Sequence, residues 1–295
     1  MASFRERVET KEAGIPLREF LVRRLSGWSK RRVKRALEAG ACRVNGAIEC
    51  FATRRLARGE MVDFAAEAEV GSSRLELGAG AVLYEDDHCF VIDKPAGFVC
   101  TPEPGGRFIG DAVVALRAGE KSHLVHRLDR DTSGALLFCK RQRELDRFFR
   151  VFRERRALKA YEAIVDGAVK TDRMRLRDRI GRISGPGEPA RHGRSRSGHE
   201  AVTELRRLAS LGAVSLLRLF PKTGRTHQLR VQLALIGHPV IGDMVYGRGC
   251  LSGLRPGRQM LHARGLVFPH PFGGRVEVEA PRPDDFRRTL EQAGG

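Results

Sequence analysis

The chain has 295 residues, 41% apolar and 31% charged, a balance that reads as an ordinary globular protein of one large domain or a small domain joined to a larger one. Its 54 Lys plus Arg against 36 Asp plus Glu leave a net charge of +18. A surplus of that size has two readings: a phosphate-rich partner, since each cation set on a phosphate releases a condensed counterion, or an arginine-rich proteome. The six cysteines are scattered with no C-x-x-C pair, which points to small reduced core residues and away from a zinc site or disulfide frame. The charged N-terminal stretch does not read as a signal peptide, and no run reaches the ~18 apolar residues of a membrane span. The expectation is a soluble, cytoplasmic protein.

In chain order, Leu17, Phe20, Leu21 and Leu25 follow a polar start at the spacing of one helix face. Ser26-Gly27 ends that helix. Ser29 is placed to cap a second one that turns Val33, Ala36 and Leu37 inward, with Gly40 at its C-terminal end. CRVNGAIE then reads as two short strands joined by an Asn45-Gly46 turn, and residues 61–64 as a further strand. Seven basic residues and no acidic one fall between positions 23 and 35: Arg23, Arg24, Lys30, Arg31, Arg32, Lys34 and Arg35. A merely solvated helix face mixes signs to gain i,i+4 pairs, whereas an unmixed run concentrates positive potential.

Residues 67–80, rich in Glu, Ala, Gly and Ser, read as a linker. Beyond them AVLYEDD and CFVIDK look like strands joined by a tight polar turn, residues 111–117 like a helix, and ALLFCK like a buried strand. The helix from Gln142 carries Leu145, Phe148, Phe149 and Phe152 at i, i+3, i+4 and i+7, which marks the phenylalanines as core and not a base-stacking platform. AYEAIVD, AVTELRRL and AVSLLRLF are further strands. Between the first two, residues 181–199 are too polar to pack and read as a mobile basic loop. A helix from about Thr226 carries Leu229, Leu233 and Ile236, and MLHARGLVF and RVEVEA give two last strands.

The densest cluster of reactive side chains is HRLDRDTSG, residues 126–134. Judged alone, Asp129 between Arg127 and Arg130 is a surface ion-pair member worth little. Asp131-Thr132-Ser133-Gly134 is then a hydrogen-bonded turn feeding the ALLFCK strand. Its company changes that reading. DKPAG (93–97) turns the chain after a strand, and LKAYEA (158–163) puts Lys159 and Tyr161 at the start of another. LFPKTGRTHQLRVQL (219–233) sets Pro221, Gly224 and Arg225 at a strand-to-helix turn, and GHPVIGDMVYG (237–247) and LHARGLVFPHP (261–271) follow.

Together, in this order, these segments resemble the RluA-type pseudouridine synthases, the large-subunit ribosomal RNA class, over residues 82–281. LREFLVRRLSGWSKRRVKRALEAGACRVNG resembles an S4 RNA-binding domain, which would set Arg31, Arg32, Lys34 and Arg35 against RNA backbone. The related small-subunit class typically has Gly before the R-L-D triplet and lacks TGRTHQLR. The resemblance implies an α+β fold class: a small S4-type αβ domain in residues 1–66, a linker in 67–80, and in 81–295 a catalytic domain on a mixed, mainly antiparallel sheet flanked by helices. It implies isomerisation of uridine, in which the C1′–N1 bond breaks, the uracil rotates and C1′–C5 forms. No redox change or group transfer occurs, so no metal or organic cofactor is expected. RNA is the implied partner, ribosomal RNA first, with transfer RNA as the alternative and a non-catalytic assembly factor as a third reading. A monomer is expected.

By the same resemblance Asp129 is the catalytic carboxylate, either as a nucleophile or as a base that removes a ribose proton. A buried aspartate protonates unless a cation holds it. The resemblance gives that part to Arg225, whose guanidinium keeps its charge when dry and offers two-point geometry. Tyr161 matches the tyrosine that stacks on the target base, and Leu229 the apolar residue on the other side of the uracil. Arg127 matches the arginine that enters the space left by the flipped nucleotide. His126 and His227 are expected to be structural hydrogen-bonding residues. Cys100-Thr101 and Gln232 stand where the family commonly has histidine, but neither departure touches Asp129, Tyr161 or Arg225.

Overall fold

A computed structural model describes residues 2–38, 41–49, 52, 54–66, 77–102, 107–185, 190–247, 250–254 and 256–294. The chain divides into two compact units, Met1–Leu75 and Glu76–Gly295. Residues 67–76 of the expected linker lie outside the described residues, and Leu77 is already buried in the core of the second unit.

The first unit contains β1 (Ala2–Arg7), α1 (Leu17–Arg24), α2 (Lys30–Glu38), β2 (Cys42–Val44), β3 (Ala47–Ile48) and β4 (Met61–Ala66), with the strands in the order β1-β4-β2-β3. The helices turn Leu17, Phe20, Leu21, Val33 and Leu37 onto Val44, Val62 and Phe64 to make one core. Ser29 caps α2 as expected, its Oγ accepting the Arg32 N–H at 3.2 Å. Asn45 (φ 53°) and Gly46 (φ 82°) both adopt the left-handed conformation that a tight two-residue hairpin turn requires. Strand β1 is not visible in local pattern, because SFRER offers a single large apolar residue. Phe4 stacks on Phe64 at 5.7 Å, so a tertiary contact holds this edge strand. In the basic run, Arg24 is already committed, to Glu6 at 2.5 Å and Glu12 at 2.8 Å. Arg31 and Arg32 are exposed, with the Arg32 guanidinium 4.1 Å from the centre of the Trp28 ring. Gly40 and the side chains of Lys34 and Arg35 lie outside the described residues.

The second unit runs β5 (Val82–Glu85), β6 (Cys89–Lys94), β7 (Phe98–Val99), β8 (Arg107–Phe108), α3 (Ile109–Leu116), β9 (His123–Leu124), β10 (Ser133–Cys139), α4 (Leu145–Arg153), β11 (Leu158–Asp166), β12 (Arg173–Arg182), β13 (His192–Arg194), β14 (His199–Leu211), β15 (Val214–Pro221), α5 (Gln228–Leu235), β16 (Leu261–Pro269), β17 (Arg275–Glu279) and α6 (Asp284–Gly294). Eleven strands form one sheet in the order β13-β12-β14-β15-β11-β16-β10-β6-β5, with β17 also on β16 and β9 on β10. Among the described residues its pairings are antiparallel except β10 with β16, the mixed, mainly antiparallel sheet expected. Strand β10 is buried along its whole length. Its Leu136 and Phe138 pack with Ile109 and Val113 of α3, and its Leu137 and Cys139 with Phe148 and Val151 of α4.

Two expectations need correction. Of the three phenylalanines on α4 only Phe148 lies deep; Phe149 is 40% exposed, and Phe152 is half-buried with its ring stacked on His126 at 4.9 Å. Helical spacing selects a face, but this face is wider than the core it meets. Residues 181–199 are not a plain loop either, since Ile180, Gly181 and Arg182 pair with Arg194, Gly193 and His192 in a hairpin. Strand β12 points Arg173, Arg175, Arg177 and Arg179 outward and Leu176 and Ile180 inward. That period of two is hidden when the arginines are read only as charge. No helix among the described residues is long and apolar enough to cross a membrane.

Candidate active site

The HRLD segment connects β9 to β10 and is fastened along its length. The Val125 N–H donates to the Leu137 carbonyl at 3.1 Å, and Thr132 N–H to the Asp129 carbonyl at 3.1 Å. The Arg130 carbonyl accepts from Gly97 N–H at 2.9 Å and from the buried Lys94 ammonium at 3.0 Å. Lys94 is pulled down to about 8 by burial. DKPAG therefore positions the Asp129 turn from beneath. At the far end Gly134, at φ 112°, pairs with Ala263 where β10 runs parallel to β16, and a Cβ there would lie 2.3 Å from the Ala263 carbonyl oxygen. Glycine ends the TSG turn for that steric reason.

Asp129, with 22% of its side chain exposed, looks into a cleft of about 310 Å³ bounded by Tyr161 of β11, Leu229 and Arg230 of α5, the β15–α5 turn and Arg127. The cation that meets it is Arg230, whose Nη1 donates to Asp129 Oδ2 at 3.1 Å. This corrects the expected pairing with Arg225. Arg225 lies before the helix on an exposed turn, and its Nε donates to the Glu200 carbonyl at 3.0 Å. Arg230 is in the first turn of α5 and 7% exposed, with Nε and Nη2 gripping Asp243 at 2.6 and 2.9 Å. Burial pushes the Asp243 carboxyl up, but the Arg230 bonds and two backbone N–H donors, Val245 and Tyr246, outweigh it and hold the group below the usual range. Burial works against the Arg230 charge as well, and Asp243 and Asp129 more than offset it.

The local sequence explains why α5 presents these groups. Gln228, Leu229, Arg230, Val231, Gln232 and Leu233 are all buried, so each polar member needs partners. Gln228 Oε1 accepts from Thr223 Oγ1 at 2.7 Å and the Arg225 N–H at 3.0 Å, while its Nε2 donates to Thr203 Oγ1 at 2.9 Å. Gln232 accepts from Thr203 Oγ1 at 2.7 Å and donates to Asp178 at 3.1 Å. The helix is thus clamped to β14, which fixes the register of Leu229 and Arg230. Arg230 and Asp243 are not among the residues expected from sequence; the signal for them lies in an arginine and two glutamines within one buried helix, followed by GDMVYG.

Tyr161 sits at the irregularity between β11 and β16. Burial, then the Asp129 charge, push its phenol well above the usual range, so it is a neutral ring at the cleft wall. Leu229 is 7% exposed and belongs to both core and cleft. Arg127 is exposed at the cleft edge. The histidines make structural hydrogen bonds. His126 Nε2 accepts the Leu137 N–H at 3.2 Å, and burial, with the Lys159 charge, holds the ring neutral at about 3. His227, at φ 56°, bonds through Nδ1 to the Tyr246 hydroxyl at 2.9 Å.

A carboxylate held by a buried guanidinium, beside a neutral phenol in a small cleft on a mixed sheet, is an arrangement suited to nucleophilic or proton-transfer chemistry. The RNA pseudouridylate synthase family pattern matches residues 88–235. Ribosomal large subunit pseudouridine synthase D of Nitrosomonas europaea is 34% identical, covering 95% of this chain and 84% of its own length. Ribosomal large subunit pseudouridine synthase C of Escherichia coli O157:H7 is 33% identical, covering 97% and 95%. Among solved structures, human RNA pseudouridylate synthase domain containing 1 superposes with a TM-score of 0.61 at 32% identity, over 72% of this chain and 86% of its own. The chain belongs to the RNA pseudouridylate synthase family. It is an RNA pseudouridine synthase, an isomerase whose substrate is RNA.

Proposed function

We propose that the enzyme isomerises specific uridines of large-subunit ribosomal RNA, with Asp129 as the catalytic carboxylate. The observation that carries this reading is the 3.1 Å contact between Asp129 and Arg230 in a cleft that also holds Tyr161 and Leu229. Arg230 keeps the carboxylate oriented, which serves attack on C1′ and removal of a ribose proton equally. The uracil, flipped out of its stack, fits between the Tyr161 ring and Leu229, and Arg127 at the cleft edge occupies the gap it leaves. The phenol, kept neutral by its surroundings, is able to serve as a hydrogen-bond donor during proton exchange at C5. The ribosomal target is supported by relatives named for the large subunit that match nearly the whole chain.

The first unit acts in this reading as an S4-like RNA-binding domain. Exposed Arg31 and Arg32, with Lys34 and Arg35 on the same helix, contact phosphates and position the enzyme without reading bases. The test is an isomerisation assay on unmodified total RNA with wild type and Asp129→Asn. Wild type converts uridine in large-subunit ribosomal RNA, and the variant, still folded, loses at least about a thousandfold in rate. An equally active variant overturns the role of Asp129. Conversion confined to transfer RNA overturns the ribosomal target.

A further inference from the structure

Two hollows meet in the second unit. The catalytic cleft shares Phe152, Lys159, Pro221, Thr223, Gly224 and Arg225 with a larger groove of about 860 Å³. The groove floor includes Ala160, Phe220 and Gly265, and Ala160 and Phe220 alternate with Tyr161 and Leu219 along β11 and β15. Successive strand residues point to opposite faces, so the groove lies on the other side of the sheet from the Tyr161 ring. Lys159 stands at the junction.

The charges around this residue are unusual. Three other cations of the groove have carboxylates: Arg218 holds Glu162 at 2.6 Å, Lys222 holds Glu204 at 3.0 Å, and Arg264 holds Glu279 at 2.8 Å. Lys159 has no such partner among the described residues, and burial lowers its pKa with no carboxylate acting in the opposite sense. Arg153 and Arg155, exposed where α4 ends, also line the groove without an ion partner among the described residues. A Cβ built on Gly224 would stand 3.8 Å from Lys159 Nζ, so glycine leaves the approach to the ammonium open. A partly dehydrated cation without a counter-charge is costly until an anion arrives.

We infer that Lys159 holds a backbone phosphate of the substrate RNA where the strand leaves the catalytic cleft, crosses the turn at residues 223–225 and enters the groove, in which Arg153 and Arg155 meet neighbouring phosphates. This rests on the uridine-isomerising reading of the Asp129 cleft and names the path of the flanking strand. Phosphate is the committed ligand because Lys159, Arg153 and Arg155 are all cations without a carboxylate partner among the described residues and the substrate is RNA.

The test compares wild type, Lys159→Met and Lys159→Arg on unmodified large-subunit ribosomal RNA transcript. Binding is followed across a potassium chloride series from about 50 to 200 mM, and initial rates of pseudouridine formation are measured beside it. Lys159→Met raises Kd and KM about five- to tenfold and reduces the slope of log Kd against log salt by about 0.7, one phosphate contact on a single strand. The loss falls on KM and not on kcat, and Lys159→Arg restores most of it. A Met variant with wild-type slope and KM, or with its loss confined to kcat, overturns the inference. Should Lys159→Met not fold, the exposed pair Arg153→Gln and Arg155→Asn reads the same slope; asparagine suits the left-handed backbone of Arg155, φ 58°. A wild type inactive on every RNA would sink the catalytic reading, while the salt slope still decides the fate of the phosphate site.

Discussion

One guanidinium serves two carboxylates in this enzyme. Arg230 holds the fully buried Asp243 by two bonds and reaches the partly buried Asp129 with a third. The two contacts differ in kind. Removing the cation strands Asp243 as an unpaired buried charge, so Arg230→Met is expected to cost about 3–5 kcal/mol in chemical denaturation. Isomerisation is lost even in the fraction that stays folded. Arg225→Ala alters stability by no more than about 0.5 kcal/mol, as surface changes do, and turnover stays within about tenfold because no bond to Asp129 is lost. Reversal of that order, with Arg225→Ala the inactive variant, would restore the pairing expected from sequence. The resemblance gives that pairing to the arginine of the GRTHQ segment, five positions before Arg230. Only the start of α5 at Gln228 separates them, leaving Arg225 on the turn and Arg230 in the helix. That Asp129, Tyr161 and Leu229 line one cleft follows from segments whose turn, strand and helix character is plain from sequence. The partner of Asp129 lies 101 positions away, and pairings of that range are set by packing.

At the scale of elements, strands buried on both faces and well-capped helices read correctly. ALLFCK is an uninterrupted apolar run, and Ser29 and Asn45-Gly46 have local chemistry that leaves few alternatives. Elements held by partners did not. Strand β1 depends on Phe64, and β12 hides its alternation among arginines. The parallel contact of β10 with β16 was equally out of reach, although it explains why the TSG turn ends in glycine. Gly134→Ala faces both a positive φ and a carbonyl oxygen at 2.3 Å. The expected loss is about 3 kcal/mol or more, since backbone cannot move aside as a flexible side chain can. A thermal midpoint within about two degrees of wild type would show that the strand pair shifts to make room. Because Asp129 lies five positions upstream, activity in the surviving protein reports how far the turn has moved.

For the whole molecule, each unit encloses its own hydrophobic core: Phe20, Phe64 and their neighbours in the first, several linked clusters around the large sheet in the second. Removing Met1–Leu75 should therefore leave the second unit folded, with a cooperative melt of its own. RNA affinity should fall at least about tenfold at moderate salt, with a shallower salt dependence, as phosphate contacts on the basic helix are lost. An unchanged affinity across the salt series would remove the RNA-binding reading of the first unit and leave the catalytic one intact. The surplus of positive charge, ambiguous as composition, is distributed in keeping with these expectations: cations on α2 in one unit and along β12 and the groove in the other.

The double duty of Arg230 also sets an order for evolutionary loss. With Asp129 in the role proposed for it, a lineage released from selection for isomerisation can replace that residue cheaply, because the arginine keeps its other carboxylate. It cannot replace Arg230 without endangering the fold. Descendants that abandon the chemistry would shed the aspartate first and carry the arginine long afterwards. In such a descendant the surviving cation would testify to ancestry and folding, and only the aspartate to a living enzyme.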